Sequence, residues 1–274
     1  MLKGGVSSVK GDYRIIGRLS NMTDPNYMAS LARGLEVMRG FSREKRHMSI
    51  AQLSHKTGIP RASVRRCLYT LAQLGYVASH DGRNYALQPK VLGLGHAYLS
   101  STPLVVTAQP FLDHVSETVN ESCSLAVLDG EDILYLARSV TSRIISVTLN
   151  VGSRLPAYCT SIGHVLLANL PPRDLEQWLA KADLKPFTER TVTSKDKLRE
   201  ELARVREQDY AVADRLLELA VRSIAVPVRN ASGTVVAGVN VIVEAGRVSL
   251  RDMRTLYLPH LQAAANELGA QLIQ

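Results

Sequence analysis

Hydrophobic and polar positions divide the chain into stretches of helical and strand periodicity. Residues 28–41 carry Leu31, Leu35, Met38 and Phe41 at helical spacing and predict a first helix that packs under the next two. From Ser49 to Gln88 the pattern reads helix, tight turn, second helix and short hairpin. Ile50, Leu53 and Ile59 share one side of the first helix and turn, Ser49 is a suitable N-cap, and Gly58 stands between the helices. Val64, Leu68, Leu71 and Leu74 form one apolar stripe on the second helix, and the hairpin turns at Asp81-Gly82 with Arg83 at its tip. Residues 90–101 (PKVLGLGHAYLSS, from Pro89) are too apolar for a loose tether and predict a linker helix packed against a partner chain, closed by Pro103.

Beyond it the spacing changes. Residues 104–119 predict a helix in which Pro110 forces an early start, a break or a kink. A hairpin follows, with strands 124–128 and 133–138 around Asp129-Gly130, and then a strand at 144–149. A loop becomes a helix near Thr160 and ends at Pro171-Pro172. Helices over 172–181 and 194–208, strands near 210–214, 222–228 and 234–243, and a helix over 249–272 opened by Ser249 and Asp252 complete the pattern. The expected class is α+β: a flexible arm at 1–25, a winged helix-turn-helix domain at 26–89, a linker helix at 90–103, and an α+β domain around an antiparallel sheet at 104–274.

Charge is unevenly distributed. Residues 1–100 hold 15 Lys and Arg against 5 Asp and Glu, whereas residues 101–274 hold 18 against 20. The basic character therefore lies with the helix-turn-helix, whose second helix shows Arg61, Ser63, Arg65, Arg66 and Tyr69 on its outward face. A helix apolar behind and arginine-rich in front suits a DNA major groove, with Arg83 of the wing on the minor groove or backbone. The alternative is a solvated face on an ordinary helix pair, and a related alternative function is a sensor whose basic domain binds nucleic acid non-specifically.

Composition narrows the classes. No apolar run follows the N-terminal basic residues, and no stretch approaches a membrane span. Cys67, Cys123 and Cys159 are an odd number without a CxxC pair, which predicts a reducing, cytoplasmic setting and speaks against a disulfide framework or structural zinc. No cofactor motif is present, and no catalytic or metal-ligating set is assigned. Cys159 and His164, five apart at a helix start, do not face one another as nucleophile and base, so an enzyme is not expected.

The best small-molecule candidate is AYCTSIG, Ala157–Gly163. Thr160 and Ser161 stand where loop becomes helix, and free N–H groups, the helix dipole and two hydroxyls there suit a carboxylate, with Arg154 upstream as a charged partner. Ala157, Tyr158 and Cys159 belong to the same stretch. Ordinary N-capping is the competing reading. Ser223 and Asn240 are polar residues in apolar strands that need partners, from a ligand or from backbone and water. Asp214 is a further pocket candidate, and pairs equally well with Arg222.

The segments SLARGLEVM, PRASVRRCLYTLAQLGYV, PKVLGLGHAYLSS, TLNVGSRLPAYCTSIGHVLLA and RSIAVPVRN resemble the IclR family of transcriptional regulators over essentially residues 27–272. RHMSIAQLSHKTGIPRASVRRCL and LGHAYLSSTPL are similar to its β-ketoadipate-pathway subgroup, whose members respond to aromatic acids or ring-cleavage products. The resemblance implies a winged DNA-binding domain, a GAF-like effector domain, and homodimers or homotetramers on double-stranded, palindromic operator DNA. It also implies a small aromatic or dicarboxylic acid as effector. The chain departs from the family pattern at Asp209, Ala213, Leu216 and Ala220, while Asp214, Glu218 and Ser223-Ile224-Ala225 remain. These departures imply either a more apolar specificity or an altered loop that does not touch the pocket.

Overall fold

The structure, a computed structural model, describes residues 24–42, 44–141 and 149–272. It forms two compact units that divide between Ala97 and Tyr98. The first unit runs Ala29–Arg39 (α1), Met48–Ser49 (β1), Ile50–Thr57 (α2), Arg61–Gln73 (α3), Val77–Ala78 (β2) and Asn84–Leu87 (β3). A 3-10 turn at Pro89–Val91 then leads into Leu92–Ser101 (α4). Ser49 caps α2 in a reciprocal box: its Oγ accepts from Gln52 N at 3.3 Å, and Gln52 Oε1 accepts from Ser49 N at 2.8 Å. Gly58 ends α2 at φ +71°, a left-handed position that lets the chain turn into α3.

Val37, Met48, Leu53, Ile59, Val64, Leu68, Leu71 and Val77 are the core of this unit. Two sequence expectations are corrected. In α1 the buried residue is Val37, whereas Leu31 and Leu35 are exposed. Leu74 is also exposed, because α3 stops at Gln73 and the turn at Gly75 carries Leu74 off the stripe. The wing holds one more strand than the hairpin pattern showed. β1 pairs with β3 through Met48–Tyr85 and Ser49–Asn84, giving the order β1-β3-β2. The expected helix from residue 90 begins with the 3-10 turn, where Lys90 Nζ donates to Leu74 O at 2.9 Å. Residues 1–23 of the predicted arm, and 144–148 of the predicted strand, lie outside the described residues.

The second unit runs Pro103–Val119 (α5), Ser122–Asp129 (β4), Asp132–Ser139 (β5), Arg154–Pro156 (β6) and Ser161–Ala168 (α6). Pro172–Lys181 (α7), Lys195–Gln208 (α8), Ala211–Asp214 (β7), Val221–Arg229 (β8) and Val235–Glu244 (β9) follow, then Leu250–Asp252 (α9) and Leu258–Gln271 (α10). The strands make one antiparallel sheet in the order β6-β5-β4-β9-β8-β7. α5 continues through Pro110, because Leu104, Ala108, Leu112 and Val115 hold both halves on the sheet while one backbone hydrogen bond is lost. The expected last helix is interrupted by a π turn, Met253–Tyr257, which buries Met253 and Tyr257. Ser249 Oγ accepts from Asp252 N at 3.1 Å and donates to the Asp252 carboxylate.

Both faces of the sheet are covered. α5 and α10 pack on one face over Cys123, Leu125, Ile224 and Val241. α6 lies on the other over Ala126, Tyr135 and Ala225, in one cluster with α7 and α8. Among the described residues no helix is long and apolar enough to cross a membrane. Replacing Ser49 with alanine should lower the stability of the helix-turn-helix unit by about 1 kcal/mol, read as an earlier denaturant midpoint.

Candidate functional site

The first unit carries the candidate cations on α3 and the wing. Arg61, Arg65 and Tyr69 follow one another at every fourth residue and are all exposed, so they form one outward stripe. Ser63 and Arg66 lie on the flank of α3, where with Met28, Leu31, Leu35 and Cys67 they line a groove of about 550 Å³ against α1. The six candidates are therefore not equivalent: three form an open stripe, two border an apolar groove, and Arg83 stands on the wing. The wing turn is held by Asp81, whose carboxylate accepts from Asn84 N at 2.7 Å, Arg83 N at 2.9 Å and Asn84 Nδ2 at 2.8 Å. The Asn84 and Arg83 N–H groups hold that carboxyl well below the usual range. Cys67, half-buried, has its thiol pushed up by desolvation, as expected of a packing residue.

The second unit contains a cavity of about 50 Å³ on the α6 face of the sheet. That is several times the roughly 10–15 Å³ one water needs, so the space holds more than a single water. Of the residues expected here, Cys159, Thr160, Ser223 and Asn240 line it. Five others do not. Arg154 sits in β6 and is ion-paired with Asp129, with Asp132 at 3.8 Å. Tyr158 turns its hydroxyl to Lys185 O at 2.8 Å and its ring toward Phe187. Ala157 is buried, and its carbonyl accepts from Thr160 N and Oγ1. Ser161 donates to Ser223 Oγ at 2.7 Å, and Asp214 is claimed by Arg190 and Arg222.

The start of α6 is also less open than expected. Thr160 Oγ1 accepts from Gly163 N at 3.1 Å, so the cap is supplied from within the chain. A Cβ on Gly163 would lie 2.0 Å from the Ala157 carbonyl oxygen, which explains glycine in this turn. Ser223 accepts from Ser161, and its own proton is not used in that bond. His164 is buried with Nε2 2.7 Å from Tyr158 O, and burial lowers its pKa. Burial pushes the Cys159 thiol up, away from the thiolate a nucleophile requires, and the His164 ring is engaged by the Tyr158 carbonyl rather than by that thiol. Among the described residues no group of His, Cys, Asp and Glu has the arrangement of a metal site.

Two lining residues that the pattern did not single out matter most: Tyr135 and Arg138 on β5. Regular alternation over 133–138 puts Arg138 on the face opposite Tyr135. The ladder is irregular, however. Leu125 pairs with Ala137 but Ala126 pairs with Tyr135, so Leu136 is an extra residue. Leu136 and Ala137 both pack under α5, and Tyr135 and Arg138 both reach the cavity. Arg138 Nε and Nη1 are buried without a hydrogen-bond partner among the described residues, as is Asn240 Oδ1. Burial lowers the Arg138 pKa, and the Tyr135 phenol, hydrogen-bonded by the Asn240 side chain, is raised by burial. Leu149, Leu155, Leu216, Leu217 and Ile242 supply apolar walls, and Glu218 also lines the cavity.

Comparison with known proteins agrees with this architecture. Residues 30–81 match the IclR helix-turn-helix domain and residues 96–270 match the bacterial transcriptional regulator IclR C-terminal domain. The chain belongs to the IclR family. It is 53% identical over 250 residues to the Pca regulon regulatory protein of Pseudomonas putida, covering 91% of this chain and 86% of that protein. It is 35% identical to the p-hydroxybenzoate hydroxylase transcriptional activator of Acinetobacter baylyi, covering 89% and 91%. A crystal structure of an IclR homologue from Microbacterium hydrocarbonoxydans, complexed with 4-hydroxybenzoate, superposes with a TM-score of 0.75 at 25% identity, covering 89% of this chain and 99% of that one. These are transcriptional regulators, and this IclR-family chain is a regulator rather than an enzyme.

The four departures from the family pattern now separate. Ala213 and Leu216 line the cavity. Asp209 instead caps α8 in the left-handed region and accepts from Arg229, and Ala220 offers its carbonyl to Ala245 N. Replacing Gly163 with alanine should destabilise the second unit by about 1–3 kcal/mol. Gly246→Ala, where a Cβ meets nothing within 4 Å, should be nearly neutral in the same denaturation measurement.

Proposed function

We propose that this IclR-family chain is a ligand-responsive, DNA-binding regulator of an aromatic-acid catabolic operon. Its effector is a small aromatic acid or a dicarboxylic ring-cleavage product, held in the cavity of the second unit. The carrying observation is Arg138: a guanidinium lining the cavity with two buried N–H-bearing nitrogens that have no partner among the described residues. Such a group needs an anion, and a carboxylate matches its fork. The names of the Pseudomonas putida and Acinetobacter baylyi relatives, and the 4-hydroxybenzoate in the Microbacterium hydrocarbonoxydans homologue, support the same class of ligand. Thr160, Ser223 and Asn240 orient the acid, with Tyr135 beside them, and Ala213 and Leu216 set the apolar part of its specificity.

In this reading residues 26–89 bind DNA, 90–103 form the linker helix, and 104–274 hold the effector. Arg61, Arg65 and Tyr69 enter the major groove, with Ser63 and Arg66 at its border and Arg83 on the backbone or minor groove. A homodimer or homotetramer places two such units on a palindromic operator. The effector acts by binding one arrangement of the assembly better than another, with the linker helix as the connection.

Melting curves with protocatechuate, 4-hydroxybenzoate and β-ketoadipate test the cavity. A true effector raises the melting point with increasing excess, by about 2.7 kcal/mol of stabilisation at a hundredfold Kd. Arg138→Met should cost about 2 kcal/mol of that binding, roughly thirtyfold in Kd; no shift from any of the three acids would sink the carboxylate assignment. On the DNA side, Arg65→Ala should weaken operator binding by about 1–3 kcal/mol and relax preference at one base pair. An equal loss on operator and random duplex would reassign Arg65 to a phosphate.

A further inference from the structure

Arg138 reaches the cavity with its fork unheld. Its Nε and Nη1 are buried with no hydrogen-bond partner among the described residues, so no bond at those atoms orients the guanidinium before a ligand arrives. Its aim must then come from the main chain that carries it. That stretch of strand has little regular support. Ser124 of β4 lies opposite Arg138, but among the described residues β6 pairs with β5 only through Asp132–Leu134. The extra residue at Leu136 also breaks the ladder just before Arg138.

One side chain takes hold of this main chain from α5. Gln109 donates from Nε2 to the Arg138 carbonyl at 3.2 Å and to Asp113 Oδ1 at 2.8 Å. Gln109 and Asp113 stand four residues apart on α5, so their side chains are neighbours. A carboxylate only accepts, so Asp113 fixes which end of the amide faces the strand: the NH₂ end, the one able to donate to a carbonyl. Each Nε2 proton then has its own acceptor. Neither residue lines the cavity, and α5 packs on the other face of the sheet. The pair therefore acts on the site through the main chain of Arg138.

We propose that Gln109, oriented by Asp113, is a positioning residue for the effector site, pinning the Arg138 main chain so that the guanidinium stands ready for a carboxylate. This rests on the reading of the cavity as a carboxylate site. A guanidinium already in place loses less conformational freedom when the acid binds, so the tie is felt as affinity. It is felt only at the charged end of the ligand. Its contribution therefore vanishes for an uncharged analogue, and vanishes when the guanidinium itself is removed.

Gln109→Met removes the donor and keeps the length of the side chain. The titration uses the full chain, by calorimetry well below its melting temperature. Whichever acid (protocatechuate, 4-hydroxybenzoate or β-ketoadipate) stabilises the wild type should bind this variant about three- to tenfold more weakly. The corresponding amide should bind variant and wild type alike, and Gln109→Met should weaken the acid no further in a chain already carrying Arg138→Met. An unchanged acid Kd overturns the proposal, whatever the melting temperature does. Equal weakening of acid and amide, or a further loss in the Arg138→Met chain, also overturns it, because Gln109 then supports the cavity as a whole. If Gln109→Met does not fold, Asp113→Ala tests the same tie with the amide present but free to turn: a smaller loss in the same direction supports it, and an unchanged Kd overturns it. In each of these failures Arg138→Met still weakens the acid, and the Arg138 site stands. A wild-type chain that none of the acids stabilises removes the site and the tie together.

Discussion

A sheet buried on both faces allows each strand residue only two directions, and both are committed. In the second unit one direction leads under α5 and α10, into an apolar layer. The other leads under α6, into the layer that contains the cavity. Which residues face the cavity is then a question of strand parity. Parity in β5 is reset by the extra residue at Leu136, and that reset carries Arg138 across the sheet. Without it, a guanidinium would point into the apolar layer beneath α5, where burying a charge is prohibitively costly. The bulge thus satisfies the apolar layer and supplies the cavity with its cation in one step.

The walls of the cavity depend on a second set of contacts. The β7–β8 connection, which carries Leu216, Leu217 and Glu218, is held by the 188–191 segment: Thr188 Oγ1 donates to Arg215 O at 2.7 Å and Thr191 Oγ1 to Leu216 O at 2.6 Å. Asp214 joins the same region to Arg190 and Arg222. These polar side chains serve to position the connection, which explains why Asp214 is tied into ion pairs instead of lining the cavity. Structural polar residues and cavity-facing ones stand side by side here, and only their partners distinguish them.

The first unit obeys a simpler rule. Its helices are short, and capping and turn chemistry do much of the specifying: the Ser49–Gln52 box, the left-handed Gly58, and the Asp81 carboxylate in the wing turn. Such devices act within a few residues of chain. The exposed stripe of Arg61, Arg65 and Tyr69 then follows from helical periodicity, because Val64, Leu68 and Leu71 take a separate, buried face.

This contrast separates what the amino-acid order determined from what the three-dimensional arrangement decided. Local periodicity, caps and turns are short-range properties, so α2, α3, the wing turn, α7, α8 and most of the sheet strands were legible, as was the family through its long matching segments. Ser223 and Asn240 were also legible as polar interruptions of apolar runs, and Thr160 as a hydroxyl where a loop becomes a helix. Arg138 was not, since a bulge is defined by the partner strand and leaves no mark on the strand that carries it. The setting of Ser124 was hidden for the same reason: a serine in a strand is unremarkable until the ladder sets it between Arg138 and Asn240. Arg154, Ser161 and Asp214 looked like ligand groups because the residues that claim them lie in other elements, as far as 62 positions away along the chain. Strand pairing is long-range, and the site is built from it.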